Sequence, residues 1–321
     1  MILHELLSYD VLRVIWWLLL GILLVGFAVT DGFDLGAAAL LRATGKTDVE
    51  RRVVINTIGP VWEGNQVWLI LGGGAIFAAW PQLYAISFSG FYLAMFAILV
   101  CLILRPVAFK FRSKRESTIW RNTWDWVLCL CGWGPSLVFG VAMGNVLLGV
   151  PFRLAPDMRI YWDGSFFDLF TPFAVLCGLV SLTMLLMHGA AWLVFKTEGA
   201  VQARATRWGV MAAVLTTVLY VIAGVWLAKL GGFVLTEAMS TTGPSNPLLK
   251  SAALGQGAWL ANYAQQPLLW IVPGLGVLMP LVAALGLKLR REWLGLLASG
   301  LGIAGIVLSV GVSMFPFILP S

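Results

Sequence analysis

Eight long apolar stretches account for most of this sequence, at residues 11–41, 55–79, 84–104, 124–148, 173–195, 208–230, 267–287 and 293–319. Each exceeds or matches the roughly 20 residues that a helix needs to cross the hydrocarbon core of a bilayer. Lipid offers no partners to exposed backbone N–H and C=O groups, so these stretches must close their hydrogen bonds internally. The runs lack the period-two alternation of barrel strands, which leaves helices. Composition agrees: 60% of the residues are hydrophobic and only 11% charged, against roughly 25% charged in ordinary soluble domains. The expected fold is an all-α integral membrane protein of about eight transmembrane helices. The first stretch is longer than one crossing requires, so it must tilt, extend past the bilayer or break near Gly32 and Gly36.

The outward segment at 150–168 contains Pro151, Pro156, Asp157 and Asp163 and divides the helices into two groups of four. Two four-helix bundles are therefore expected, over residues 1–155 and 156–321. The longest hydrophilic region, 231–266, carries the turn-forming run Thr241, Thr242, Gly243, Pro244 and Ser245 and suits a cap or a partner contact. Several of the 16 tryptophans stand at span ends, among them Trp80, Trp120 and Trp208, where interfacial anchoring explains them. The glycine content fits close helix packing. The Gly72-Gly73-Gly74 run lies inside the second stretch, outside the strand-turn-helix setting of a nucleotide loop.

Orientation follows from the basic residues, which stay on the cytoplasmic side. The loops after the first, third, fifth and seventh stretches hold 16 of the 21 lysines and arginines, including Arg42, Lys46, Arg51, Arg52, Arg105, Arg112, Arg121, Arg204 and Arg291. The N-terminus is then expected outside the cytoplasm. No basic region followed by a small-residue cleavage site opens the chain, so the first helix is expected to be retained. The net charge of +6 is a topology signal spread over four short loops, and nucleic-acid binding is not expected.

Ionisable groups within membrane spans are costly and are functional candidates by default. The first stretch carries Asp31 and Asp34 in TDGFDLG, three apart and so near one helix face. They are either functional carboxylates or a short inward helix end, solvated or paired with Arg42. The second carries Glu63, Asn65 and Gln66 in VWEGNQVW. Glu63 lies about eight residues into its stretch, or roughly 12 Å at 1.5 Å per residue. It is either a proton carrier or a structural hydrogen bond or ion pair, with Arg105 and Gln66 as candidate partners. Arg105 closes the third stretch beside Pro106.

Histidine is scarce: only His4 and His188 occur. His188 stands alone in the fifth stretch, where a hydrogen-bonded packing role is expected rather than ligation. Haem needs an axial ligand, so no haem and no metal is expected on this chain. The four cysteines, Cys101, Cys129, Cys131 and Cys177, lie within spans and read as small hydrophobes.

Longer motifs carry a resemblance. IWWLLLG at 15–21, TDGFDLG at 30–36, ERRVVINTIGPVWEGNQVWLI at 50–70, FAAWP at 77–81, FSGFY at 88–92, RPVAF at 105–109, WRNTWD at 120–125, GNVLLGVPF at 144–152, SNPLLK at 245–250 and MFPFILPS at 314–321 resemble subunit II of cytochrome bd quinol oxidases. The resemblance implies a bacterial inner-membrane protein that pairs as a heterodimer with subunit I, which holds haems b and d and the quinol-oxidising loop. Small accessory subunits join some members, and some hold a bound quinone in subunit II. The complex reduces dioxygen to water with electrons from quinol and protons from the cytoplasm. Acidic residues at the positions of Asp34 and Glu63 are associated with the family's proton route, with Asp31 beside them. Members often carry His-Asp or His-Glu where this chain has Trp62-Glu63, so the carboxylate persists without the histidine. Members usually continue past the final motif into a ninth helix; with the chain ending at Ser321, the C-terminus is expected outside. On residues alone, a proton-coupled secondary transporter competes with this reading, since buried carboxylates in helical bundles also serve transport. A purely structural membrane scaffold is a third class.

Overall fold

The computed structural model describes residues 7–236 and 246–321; His4 and the run Thr241–Ser245 lie outside the described residues. Helix α1 (Tyr9–Thr44) runs unbroken for 36 residues, about 54 Å at 1.5 Å per residue. It does not break at Gly32 or Gly36. Gly36 instead lets α1 touch α7 (Pro172–Lys196) backbone to backbone, Gly32 makes room for the Leu185 side chain, and Gly132 lets α6 (Thr118–Leu148) approach the α1 backbone. A Cβ on Gly36 would stand 1.9 Å from the Leu185 carbonyl oxygen, and one on Gly132 of α6 would stand 2.4 Å from the Leu35 carbonyl oxygen. Such close approach substitutes dispersion contacts for the hydrophobic drive that lipid does not supply. Gly72, Gly73 and Gly74 have open space where a Cβ would stand and play no such part within this chain.

The second apolar stretch is not one helix. Helix α2 (Asp48–Ile58) is opened by a capping box in which Thr47 and Glu50 satisfy each other's backbone amides. It ends before Gly59-Pro60-Val61, because Pro60 has no amide hydrogen to continue the ladder. Helix α3 (Trp62–Ala79) follows, then α4 (Pro81–Gly90) and α5 (Tyr92–Phe111). The third stretch is likewise displaced: α5 continues through Pro106 to Phe111, so Arg105 lies inside a helix rather than at its end. The remaining helices are α8 (Gly199–Leu227), the short α9 (Ala261–Gln265), α10 (Ile271–Lys288) and α11 (Glu292–Met314). Among the described residues seven helices are long and apolar enough to span a membrane. Helix α3 falls outside that set because Glu63, Asn65 and Gln66 occupy its first two turns.

The core runs between α1, α7 and α11, with Leu35, Leu185 and Ile303 buried together. Large apolar side chains such as Ile22, Ile70, Ile103 and Leu297 are more than half exposed on the flanks, a surface that suits lipid and not water.

Polar contacts gather the four basic loops at one end. Arg112 and Arg51 both bind the buried Asp125 of α6, at 2.5 and 3.1 Å. Asp48 binds Arg112 and Arg121 at 2.7 and 2.8 Å. Arg204 of α8 reaches Glu50 of α2 at 2.6 Å and the Thr44 carbonyl at 2.6 Å, and Gln202 donates to Glu292 of α11 at 2.8 Å. At the other end sit two antiparallel hairpins: β1 (Phe152–Leu154) with β2 (Ile160–Trp162), and β3 (Gly231–Leu235) with β4 (Ala252–Gln256). The final segment is tied in there by a bond from the Val150 amide to the Pro320 carbonyl.

Candidate functional site

Among the described residues three intramembrane charges, Asp31, Asp34 and Arg105, meet where α1, α3 and α5 adjoin. Asp31 and Asp34 of α1 and Arg105 of α5 are all fully buried. Arg105 Nη2 lies 2.8 Å from Asp31 Oδ1. That contact is close but not aligned as a hydrogen bond, so it acts as an ion pair. The same nitrogen donates to Gln66 Oε1 at 2.9 Å, and the guanidinium stands 5.7 Å from the centre of the Trp62 ring. Trp62 is backed by Phe109 of α5, ring centres 5.6 Å apart. Asn65 Nδ2 donates to Asp34 Oδ2 at 2.8 Å.

The sequence folds locally to give this arrangement. Trp62, Asn65 and Gln66 stand at i, i+3 and i+4 of α3 and so share one face, which is the face turned to α1 and α5. The break at Pro60 sets where α3 begins and thus puts all three in its first two turns. Burying isolated ions costs several kcal/mol each, and the pairing of Asp31 with Arg105 offsets that cost. Asp31 Oδ2, Asp34 Oδ1 and Arg105 Nε and Nη1 are buried without a hydrogen-bond partner among the described residues. Of these, Asp34 Oδ1 belongs to a carboxylate bound only by a neutral amide, and in a region of low dielectric it is an acceptor open to a proton.

Several expectations are corrected. Asp31 and Asp34 are neither a solvated helix end nor paired with Arg42, which donates to Asn122 and packs its guanidinium 4.5 Å from the Trp126 ring centre. Arg105 pairs with Asp31 and Gln66 and not with Glu63. Glu63 is not about eight residues along a continuous helix but in the first turn of α3, on its exposed side. One residue past Trp62, it is turned about 100° around the helix from the cluster face. Trp62 and Asn65 join the cluster beside Gln66, and their i, i+3, i+4 spacing is the sequence signal that points to it.

His188 is a packed core histidine, as its isolation suggests. The Val29 carbonyl can only accept, so Nε2 carries the hydrogen and donates to it at 2.9 Å, while Nδ1 meets Ser299 Oγ at 2.7 Å. Both ring nitrogens are engaged within this chain. Among the described residues no group of three or more His, Cys, Asp or Glu side chains could hold a metal ion.

Comparison with known proteins bears on what such a cluster serves. Residues 12–321 match the family described as cytochrome bd terminal oxidase subunit II. The chain is 49% identical over 314 residues to a probable cytochrome oxidase subunit 2 of Haemophilus influenzae, covering 98% of this chain and 83% of that protein. It is 48% identical over 315 residues to cytochrome bd-I ubiquinol oxidase subunit 2 of Escherichia coli strain K12, with the same coverage. Its fold is similar to a chain of the bd oxidase from Geobacillus thermodenitrificans, with a TM-score of 0.70 at 18% identity over 98% of this chain and 86% of that one.

Proposed function

Because the chain belongs to the cytochrome bd terminal oxidase subunit II family, we propose that it serves as the haem-free membrane subunit of a quinol:dioxygen oxidoreductase. In this reading it pairs with a haem-bearing subunit I and lines a proton route from the cytoplasm toward the oxygen-reducing site. Haems b and d on that partner supply the redox chemistry, passing electrons from quinol to dioxygen; a bound quinone on this chain and small accessory subunits are compatible with it. The bond from Asn65 to Asp34 at 2.8 Å carries the proposal, because it joins the buried carboxylate of α1 to the helix that bears Glu63. Asn65 and Glu63 stand two residues apart and so on opposite faces of α3. Asp34 therefore lies on the inner side of α3 and, in this reading, takes up the proton first. Glu63 lies on the flank of the subunit, where a carboxylate at the edge of an apolar segment suits hand-off to another chain better than contact with lipid.

The division of labour follows from protein groups alone. Asp34 has an oxygen free to take up a proton, Asn65 holds its other oxygen in place, and Glu63 releases the proton outward. The basic loops joined at one end favour that end as cytoplasmic, with the N-terminus outside. The two-bundle division at about residue 155 remains part of this reading. Purification of the native complex tests the assignment: a haem-bearing partner should co-purify with this chain, and the haem spectrum should follow that partner. A chain that purifies intact without such a partner, and drives solute uptake in liposomes, would contradict it.

A further inference from the structure

We propose that Asp31 and Arg105 form a fixed counter-ion pair, so that of the two buried carboxylates on α1 only Asp34 exchanges protons. The inference rests on the proton-route reading and divides the roles within that cluster. Arg105 is fully buried and held by three neighbours: Asp31 at 2.8 Å, Gln66 at 2.9 Å and the Trp62 ring at 5.7 Å. A guanidinium does not release its proton in a protein. A permanent buried cation needs a permanent anion, and protonating Asp31 would leave Arg105 uncompensated in a low dielectric.

Asp34 is placed differently. Its partner is a neutral amide, Asn65, which donates to Oδ2 whether the carboxyl group is charged or not. Its Oδ1 is buried without a hydrogen-bond partner among the described residues and is where a proton can reside. Protonation of Asp34 breaks no ion pair. Asp31 and Arg105 are the charged groups that act on Asp34; Glu63 of α3 faces outward, and His188 of α7 meets α1 at Val29. Asp31 and Arg105 are thus positioning residues. They neutralise each other and tie α1 to α5, whereas Asp34 takes its orientation from Asn65.

The pair can be removed as a unit. In the intact oxidase, Asp31→Asn alone strands the buried guanidinium and should lower the yield of assembled complex severalfold. The double variant Asp31→Asn, Arg105→Gln should restore assembly, turn over oxygen within about twofold of the parent per haem, and keep the parent's pH–rate profile. Arg105→Gln alone should displace that profile in whatever complex assembles, since Asp31 then stands unpaired beside Asp34. Asp34→Asn should assemble yet reduce oxygen about tenfold more slowly or worse. A double variant that assembles no better than Asp31→Asn, or that assembles but is as slow as Asp34→Asn, would overturn the proposal. Full-rate turnover in an assembled Asp34→Asn complex would instead overturn the proton-route reading beneath it.

Discussion

At the scale of single residues, close packing and polar satisfaction explain positions that look unremarkable in the sequence. Gly36 and Gly21 lie on the same helix, yet a Cβ on Gly36 would meet the Leu185 carbonyl at 1.9 Å while one on Gly21 would meet nothing within 4 Å. Gly36→Ala is therefore expected to force α1 and α7 apart and destabilise the subunit by about 1–3 kcal/mol. Gly21→Ala should be neutral or slightly stabilising, since alanine is the better helix former by up to about 1 kcal/mol. Thermal unfolding of the purified complex distinguishes the two; equal effects would contradict the packing argument. His188→Ala removes two hydrogen bonds at a cost of about 0.5–1.5 kcal/mol per bond lost, while Ser299 Oγ keeps its bond to the Leu296 carbonyl at 2.8 Å and Val29 stays in the α1 ladder. The haem spectrum of the assembled complex should not change. Loss of a haem band without loss of assembly would assign the imidazole a ligand's role.

At the scale of elements, hydropathy reveals which segments are helical but not where the helices stop. The break at Pro60 lies inside the second apolar stretch, where a window that averages hydropathy conceals it, whereas the break at Pro81 falls between the second and third stretches. The division at Phe91 carries no proline, but Gly90 stands just before it, where a Cβ would meet the Trp162 ring. The same limit affects the site. Asp31, Asp34, Glu63, Gln66 and Arg105 stand out because charge and amide groups are rare in apolar runs. Which of them meet depends on the start of α3 and the length of α5, and averaged hydropathy fixes neither. Element ends also carry a pH-dependent contact. Glu50 caps α2 and binds Arg204 of α8, and hydrogen bonds from Arg204 and then from the Thr47 and Lys46 amides push its pKa down from 4.5 to about 2. A depressed carboxylate contributes stability that is present above its unfolded pKa and lost as pH falls through the folded value. Glu50→Gln should thus lower the melting temperature of the complex at neutral pH, and its difference from the parent should shrink as the pH falls from about 4.5 toward 2. A difference independent of pH over that window would show that shape, and not charge, makes the contact.

At the scale of the whole molecule, the bonds among the basic loops put the segments after the first, third, fifth and seventh apolar stretches at one end, which is the arrangement that charge counting anticipated. Cysteines introduced at Lys46 and Arg115 should resist membrane-impermeant thiol reagents in intact cells and react once the membrane is opened; labelling from outside would invert the orientation. The family was legible in the long motifs, whereas the exposed setting of Glu63 on α3 was not, because it depends on where the helix begins. The central claim is that this subunit carries protons to a partner's oxygen chemistry through Asp34 and Glu63. The most direct measurement is oxygen reduction and proton uptake by the assembled Glu63→Gln complex, with Glu63→Asp alongside it. The account predicts normal haem content with oxygen reduction slowed by about tenfold or more in the Gln variant, and a smaller loss in the Asp variant, which keeps the acid at a shorter reach. Parent rates of both oxygen reduction and proton uptake in a fully assembled Glu63→Gln complex would contradict it.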